Sequence, residues 1–214
     1  SWIESAVGSS QDDVLIGNSG NNMLTGGLGN DDIDGGEGRD TAAFAGARAD
    51  YALSESFGAR YLTANDGVSG FDVLNNIERL KFADVSVAYD VEGGNAGMAV
   101  KVLGILLPTF ASNLSARGIV LSYLDAGGDV NTLVDIGLDL VLGANASSQQ
   151  IVTLLYTNLA GFAPDAGSLA TYSALLDNHT LTKEQLTLIA ADLSYNLDHI
   201  GYTGLVENGV DYTP

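Results

Sequence analysis

GSSQDDVLI, GNSGNNMLT, GGLGNDDID and GGEGRDTAA follow one another without a break from residue 8 to residue 43. Read in nines, the four units open on Gly8, Gly17, Gly26 and Gly35. Their sixth positions hold Asp13, Asn22, Asp31 and Asp40, and their eighth positions hold Leu15, Leu24, Ile33 and Ala42. The third unit fits G-G-x-G-x-D-x-U-x throughout, where U is apolar; the fourth departs only in Ala42, and the first two are looser. A flexible linker would not keep an Asp or Asn and an apolar residue in register through four units. Each unit reads as a turn followed by a very short strand. Glycine permits the positive φ of a tight turn, and a lone apolar residue at position eight can be buried only against stacked copies of itself. Collagen is excluded, because its glycine recurs every third residue.

Where such turns stack, carboxylates and main-chain carbonyls converge. Hard oxygen donors of this kind suit calcium better than magnesium or zinc, and the repeats contain no His or Cys. Composition points the same way. The 214-residue chain carries 27 acidic and 8 basic residues, a net charge of −19. That excludes a phosphate backbone as a natural partner, since nucleic acid requires a basic face. It calls instead for a cation, because clustered carboxylates repel until neutralised. With 46% hydrophobic residues the chain is no disordered acidic tail, and its lack of Cys rules out disulfides and thiolate sites. The most apolar stretch, KVLGILLPTF (101–110), is broken by Pro108 and falls short of the roughly 18–20 residues of a membrane span. The opening SWIESAVGSS has neither an initiator Met nor a basic, apolar leader, so a fragment of a longer protein is expected.

The nine-residue units resemble the RTX nonapeptide of secreted bacterial proteins, a calcium-binding repeat. The resemblance implies a parallel β-roll in which two consecutive units make one coil and units two apart share an ion. Asp13 would then pair with Asp31 on one side and Asn22 with Asp40 on the other. Carbonyl oxygens would come from Gly8, Gly17, Gly26, Gly27, Gly29, Gly35, Gly36 and Gly38, for about two calcium ions or more. Asn22 removes a charge from the pattern and should weaken its site. Asp32 and Asp34 should face solvent. The opening WIESAVGSSQDDVLIGNSGNNMLTGG is similar to the start of the β-roll in serralysin-type metalloproteases. GRDTAAFAGARADYALSE and GFDVLNNIERLKFAD resemble the segment that follows RTX repeats in type I-secreted proteins.

From Thr41 to Val91 aromatic and β-branched residues alternate with turns. DYALSE and ARYLTANDG read as strands, the second closed by a turn at Asn65, Asp66 and Gly67, and VSVAYD places Val85, Val87 and Tyr89 on one face. These predict antiparallel strands that cap the roll, with Asp66 and Asp72 as a weaker candidate for a further cation site. Beyond Gly97 the pattern becomes helical: Ile151, Leu154, Leu155 and Leu159 form one core stripe, and Leu186, Ile189, Ala190 and Leu193 another. Ser147 with Gln150, and Thr182 with Gln185, read as capping boxes; Gly127, Gly128 and Gly161 read as breaks. VTLLYTNLAGFAPDAGSLATYSALLDNHTLTKEQL, with VENGVDYTP near the end, is similar to a small bacterial helical domain of uncharacterised function that follows RTX repeats in exported proteins. The expected fold class is α+β. A short parallel β-roll capped by antiparallel strands fills residues 1–91, and an all-α helical domain fills 92–214, read as two degenerate helical repeats at 97–146 and 147–214.

No catalytic constellation is legible. His179 and His199 lie in no H-E-x-x-H motif, there is no G-x-S-x-G elbow or P-loop, and no thiol nucleophile exists. The expectation is therefore a non-enzymatic, extracellular, calcium-dependent folding and secretion module. The resemblance implies type I secretion machinery as its partner and an uncleaved signal near the C-terminus. Two alternatives stand beside it. One is a surface-binding or self-assembling module of an adhesin or surface layer, with a cell-surface glycan, a peptide or a second copy on a groove of Tyr156, Tyr172, Tyr195 and Tyr202, tyrosines that otherwise read as core or boundary packing. The other is the accessory half of a serralysin-like metalloprotease.

Overall fold

The computed structural model describes residues 4–214, so Trp2 and Ile3 of the serralysin-like opening lie outside it. The chain divides into two compact units, residues 1–89 and 90–214.

In the first unit the repeats set the spacing of five three-residue strands: β1 (Ser5–Val7), β2 (Val14–Ile16), β3 (Met23–Thr25), β4 (Asp32–Asp34) and β5 (Thr41–Ala43). Each strand pairs in parallel with the next but one, Met23 beside Ser5 and Thr41 beside Met23 on one side, Asp32 beside Val14 on the other. A residue thus lies against the one 18 positions on, which is two units. Three residues allow only one inward side chain per strand. That residue is Leu24, Ile33 or Ala42, all buried, with Ala6 and Leu15 partly covered at the start.

Five further strands follow: β6 (Tyr51–Ser56), β7 (Ala59–Ala64), β8 (Phe71–Asn75), β9 (Arg79–Lys81) and β10 (Ser86–Ala88). β6 and β7 form a hairpin on a two-residue loop, Phe57 (φ 54°) and Gly58 (φ 81°); two positive φ values match the right-handed twist of the flanking strands. β7 pairs antiparallel with β8, and β9 with β10. The sequence suggested antiparallel strands alone, but β8 and β9 also join the repeats in parallel, Val73 beside Asp32 and Arg79 beside Thr41. Leu74 and Leu80 explain the continuation, since they occupy the inward positions of the next coil and are buried with Ile77, Leu62 and Phe82. In β10 the expected alternation fails: Ser86 and Ala88 are buried as well as Val87.

The second unit contains eight helices: α1 (Asn95–Leu106), α2 (Leu114–Asp125), α3 (Val130–Leu142), α4 (Ser148–Ala160), α5 (Ala166–Asp177), α6 (Lys183–Ala191), α7 (Ser194–His199) and α8 (Tyr202–Asn208), with a short strand β11 (Val210–Tyr212). Helix starts are written in side chains: Asn113, Asp129, Ser147, Asp165 and Thr182 each accept a main-chain N–H, and Ser147–Gln150 and Thr182–Gln185 are reciprocal capping boxes. α1 is the central helix, with Val102, Ile105 and Leu106 packed against Val134 and Leu138 of α3, Ile151 and Leu155 of α4 and Ala190 of α6. The stripe on α4 is core. The stripe on α6 holds in part: Ala190 is buried and Leu186 packs against the core, but Ile189 is 50% and Leu193 45% exposed, and Thr187 and Ala191 are buried instead. Small residues let α6 approach its neighbours, and Thr187 satisfies its buried hydroxyl on the Lys183 carbonyl. No helix among the described residues is long and apolar enough to cross a membrane.

Candidate metal centre

The turns between the three-residue strands stack as closely as the strands. A Cβ built on Gly27 (φ 118°) would fall 1.9 Å from the Ser9 carbonyl oxygen, so both the backbone angle and the space require glycine there. Two ladders of side chains run up the stacked turns. In one, the fifth-position residue accepts from the coil above: Asn30 N–H donates to Asp12 Oδ1 at 2.8 Å, and Arg39 N–H to Asn21 Oδ1 at 2.9 Å. In the other, the sixth-position residue accepts from the coil below: Asp13 N–H donates to Asp31 Oδ1 at 2.9 Å, and Asn22 N–H to Asp40 Oδ1 at 2.7 Å. Asp13 is thereby brought to Asp31 and Asn22 to Asp40, two distinct pairs on the two edges of the stack.

The second oxygen of each sixth-position carboxylate separates the residues. Asp13 Oδ2 accepts from Ser9 N–H at 2.7 Å, inside its own turn. Asp31 Oδ2 and Asp40 Oδ2 are buried with no hydrogen-bond partner, in residues only 2% and 0% exposed. A buried carboxylate oxygen without a donor is costly unless it meets a cation. Carbonyls crowd the same places. A Cβ on Gly8 would meet the Gly26 carbonyl and Asp13 Oδ2, and one on Gly17 would meet the Gly35 carbonyl and Asn22 Oδ1. No three His, Cys, Asp or Glu side chains converge among the described residues, so carbonyls must supply the balance of any ligand set. Carboxylate plus carbonyl oxygen is the donor chemistry calcium takes, and the residues present fit it.

The charges register the strain. Burial pushes the Asp40 carboxyl up to about 6, and the charges of Glu78 and Asp34 add to this against the Asn22 N–H bond. Burial raises Asp31 as well, with Asp13 and Asp12 adding to it. Asp32 is exposed; Asp34, which the sequence sends to solvent, is half-buried, because its Oδ1 accepts from Gly36 N–H and Asn76 Nδ2. Asp66 and Asp72 have separate roles. Asp66 is an exposed turn cap for Val68 and Ser69, held down to about 2 by the Ser69 hydroxyl and the N–H groups of both residues. Asp72 is buried, accepts from Asp31 N–H at 3.0 Å and is pushed up to about 6 by burial, with the Asp31 charge adding. Glu78, absent from the sequence candidates, accepts from Asp40 N–H at 2.8 Å; only its place two residues before the apolar Leu80 hinted at it.

His179 and His199 are both exposed, the first in a turn at φ 55° and the second closing α7. In the second unit a groove of about 370 Å³ is lined by Tyr156, Phe162, Tyr172, Ile189, Leu193 and Tyr195, among others. Tyr202 stands apart from it, with its hydroxyl on the Val91 carbonyl and the Lys101 ammonium over its ring.

The family described as RTX calcium-binding nonapeptide repeat (4 copies) matches residues 7–42. Among solved structures, the extracellular lipase LipA of Serratia marcescens aligns at 19% identity and a TM-score of 0.24, over 39% of this chain and 17% of the lipase's own length. No curated protein matches. The chain thus carries RTX calcium-binding nonapeptide repeats, in residues 7–42.

Proposed function

We propose that the chain is a calcium-dependent folding module of an exported protein. In this reading the first unit is a β-roll that forms on binding calcium, and the second is a helical domain that folds without it. The observation that carries the proposal is the pair of buried, donorless oxygens, Asp31 Oδ2 and Asp40 Oδ2. Bound calcium supplies positive charge and oxygen coordination there. The chain's own residues do the rest. Asp31 and Asp40 hold the stack through their Oδ1 atoms, the glycine turns bring carbonyls within reach, and Ile33 and Leu24 close the interior. Without the cation the carboxylates of successive coils repel, and three-residue strands have too little apolar surface to hold them together.

Extracellular calcium modules work with dissociation constants on the order of 10⁻⁴–10⁻³ M. A site at ten times its dissociation constant stabilises a fold by about 1.4 kcal/mol. Low calcium inside a cell and high calcium outside would therefore keep the repeats unfolded during passage through a type I secretion channel and fold them afterwards. The absence of Cys suits a chain threaded in that state. The module is proposed to be non-enzymatic, with any catalytic activity residing in further parts of the parent, such as a serralysin-like protease. Calcium titration of the EDTA-stripped chain, followed by far-UV circular dichroism, tests this. A saturable gain of β signal over a constant helical background is expected; native-like β signal in EDTA with a flat titration would refute it.

The groove at Tyr156, Tyr172 and Tyr195 favours one second reading, in which the helical unit holds a surface ligand such as a glycan. Saturable binding of the full chain to a glycan panel, lost in Tyr172→Ala, would put that reading first.

A further inference from the structure

The matched repeats end at residue 42, yet the stack does not. Gly70 lies where the fourth glycine of a unit would: a Cβ on it would fall 1.7 Å from the Gly29 carbonyl oxygen, as one on Gly27 falls 1.9 Å from that of Ser9. Phe71 N–H donates to Asn30 Oδ1 at 3.0 Å, the fifth-position bond. Asp72 Oδ1 takes the Asp31 N–H, the sixth-position bond. Leu74 lies beside Ile33 and is buried like it. Residues 70–75, GFDVLN, are therefore G-x-D-x-U-x, the last six positions of a nonapeptide, displaced by a 41-residue step that contains the β6–β7 hairpin.

The opposite edge continues too. A Cβ on Gly35 would meet the Asn76 carbonyl at 2.2 Å and Asp40 Oδ2 at 2.6 Å, the combination of carbonyl and side-chain oxygen that Gly17 meets one coil below in Gly35 and Asn22. Glu78 takes the Asp40 N–H, and Leu80 lies beside Ala42. Here the step is 38 residues, so the turn from Asn76 to Glu78 is three residues shorter than the one from Gly35 to Asp40. A glutamate, one methylene longer than aspartate, reaches across the shortened turn.

Resting on the calcium reading above, we propose that residues 70–81 are a third coil of the stack, written in sequence outside the repeat pattern. In this coil Asp72 on one edge, and Glu78 with the Asn76 carbonyl on the other, complete two divalent-cation sites on the donorless oxygens of Asp31 and Asp40. Each of these carboxylates spends one oxygen on the N–H below, as Asp31 and Asp40 do, and keeps the other for an ion. The ions then tie the repeats to a segment about 40 residues away, so the hairpin between them becomes part of the calcium-folded unit.

Calorimetric titration of the full chain with calcium alone, paired with equilibrium dialysis, tests the third coil through Asp72→Asn, Glu78→Gln and the exposed control Glu37→Gln. Asn and Gln keep an oxygen for the Asp31 and Asp40 N–H groups, so a purely structural role would leave binding unaltered. The expected result is the loss of one ion, or at least about tenfold weaker binding at one site, in each of the first two variants, with Glu37→Gln matching the parent chain. Excess calcium should restore their β signal. Parent-like stoichiometry and affinity in both variants would overturn the third coil while leaving the calcium reading intact, and so would a variant that stays unfolded at any calcium level. A parent chain that binds no calcium would remove both proposals.

Discussion

Asp31, Asp32 and Asp34 lie within four residues of one another and have three different environments. Asp31 is buried with one oxygen on the Asp13 N–H and the other lacking a donor; Asp32 is exposed; Asp34 braces Gly36 and Asn76. Asp31→Ala should weaken calcium binding at one site by more than about tenfold in a calorimetric titration. Asp34→Ala should leave that affinity unchanged and cost about 1 kcal/mol of stability in the calcium-loaded chain for its lost hydrogen bonds. The metal-free chain has a pH signature of its own. Asp40 and Asp72 sit near 6 when folded, against the ordinary 3.8. The folded stack therefore binds protons more readily than the unfolded chain, and stability falls as pH rises from about 4 to 6. In EDTA the first unit should gain β signal on acidification from pH 7 to 5 and lose it on return. A response of the opposite sign would mean that these carboxylates are not held in repulsion.

At the scale of the element, strands of three residues are stable only as a stack, because each offers one inward side chain. The inward position is the mechanical link between repeat and fold. Leu74, in β8, should cost about 2–5 kcal/mol on truncation to Ala in urea unfolding of the calcium-loaded chain, as a repeat residue would, whereas a capping strand would lose much less. The nine-residue period made Leu24 and Ile33 legible, since both are fixed by local spacing, and the resemblance to the RTX nonapeptide implied the 18-residue register. The capping boxes of α4 and α6 were legible for the same reason. β8 and β9 were not recognised as stack members. Gly70, Asp72 and Leu74 do keep the last six positions of the pattern, but Glu78 replaces the aspartate and the hairpin breaks the period, so only the folded stack restores the alignment. On α6, periodicity marked Ala190 as core, which it is, but it also marked Ile189 and Leu193, while Thr187 and Ala191 took their place. A helix packed closely among several neighbours buries its small side chains, and spacing of the large ones then misleads.

Across the whole molecule, a charge of −19 is distributed over two units with different sources of stability. The helical unit has a continuous apolar core around α1, and in the proposed reading it forms without an ion. The first unit has a smaller core and a column of carboxylates against it. Calcium should therefore act as a switch on one unit and as a bystander to the other. Amide hydrogen exchange on a single sample, with and without calcium, measures this directly. The account predicts that the amides of Leu24, Ile33 and Leu74 are protected in calcium and exchange freely in EDTA, while those of Ile105, Leu138 and Leu155 are equally protected in both. Equal protection of Ile33 in calcium and in EDTA would contradict it.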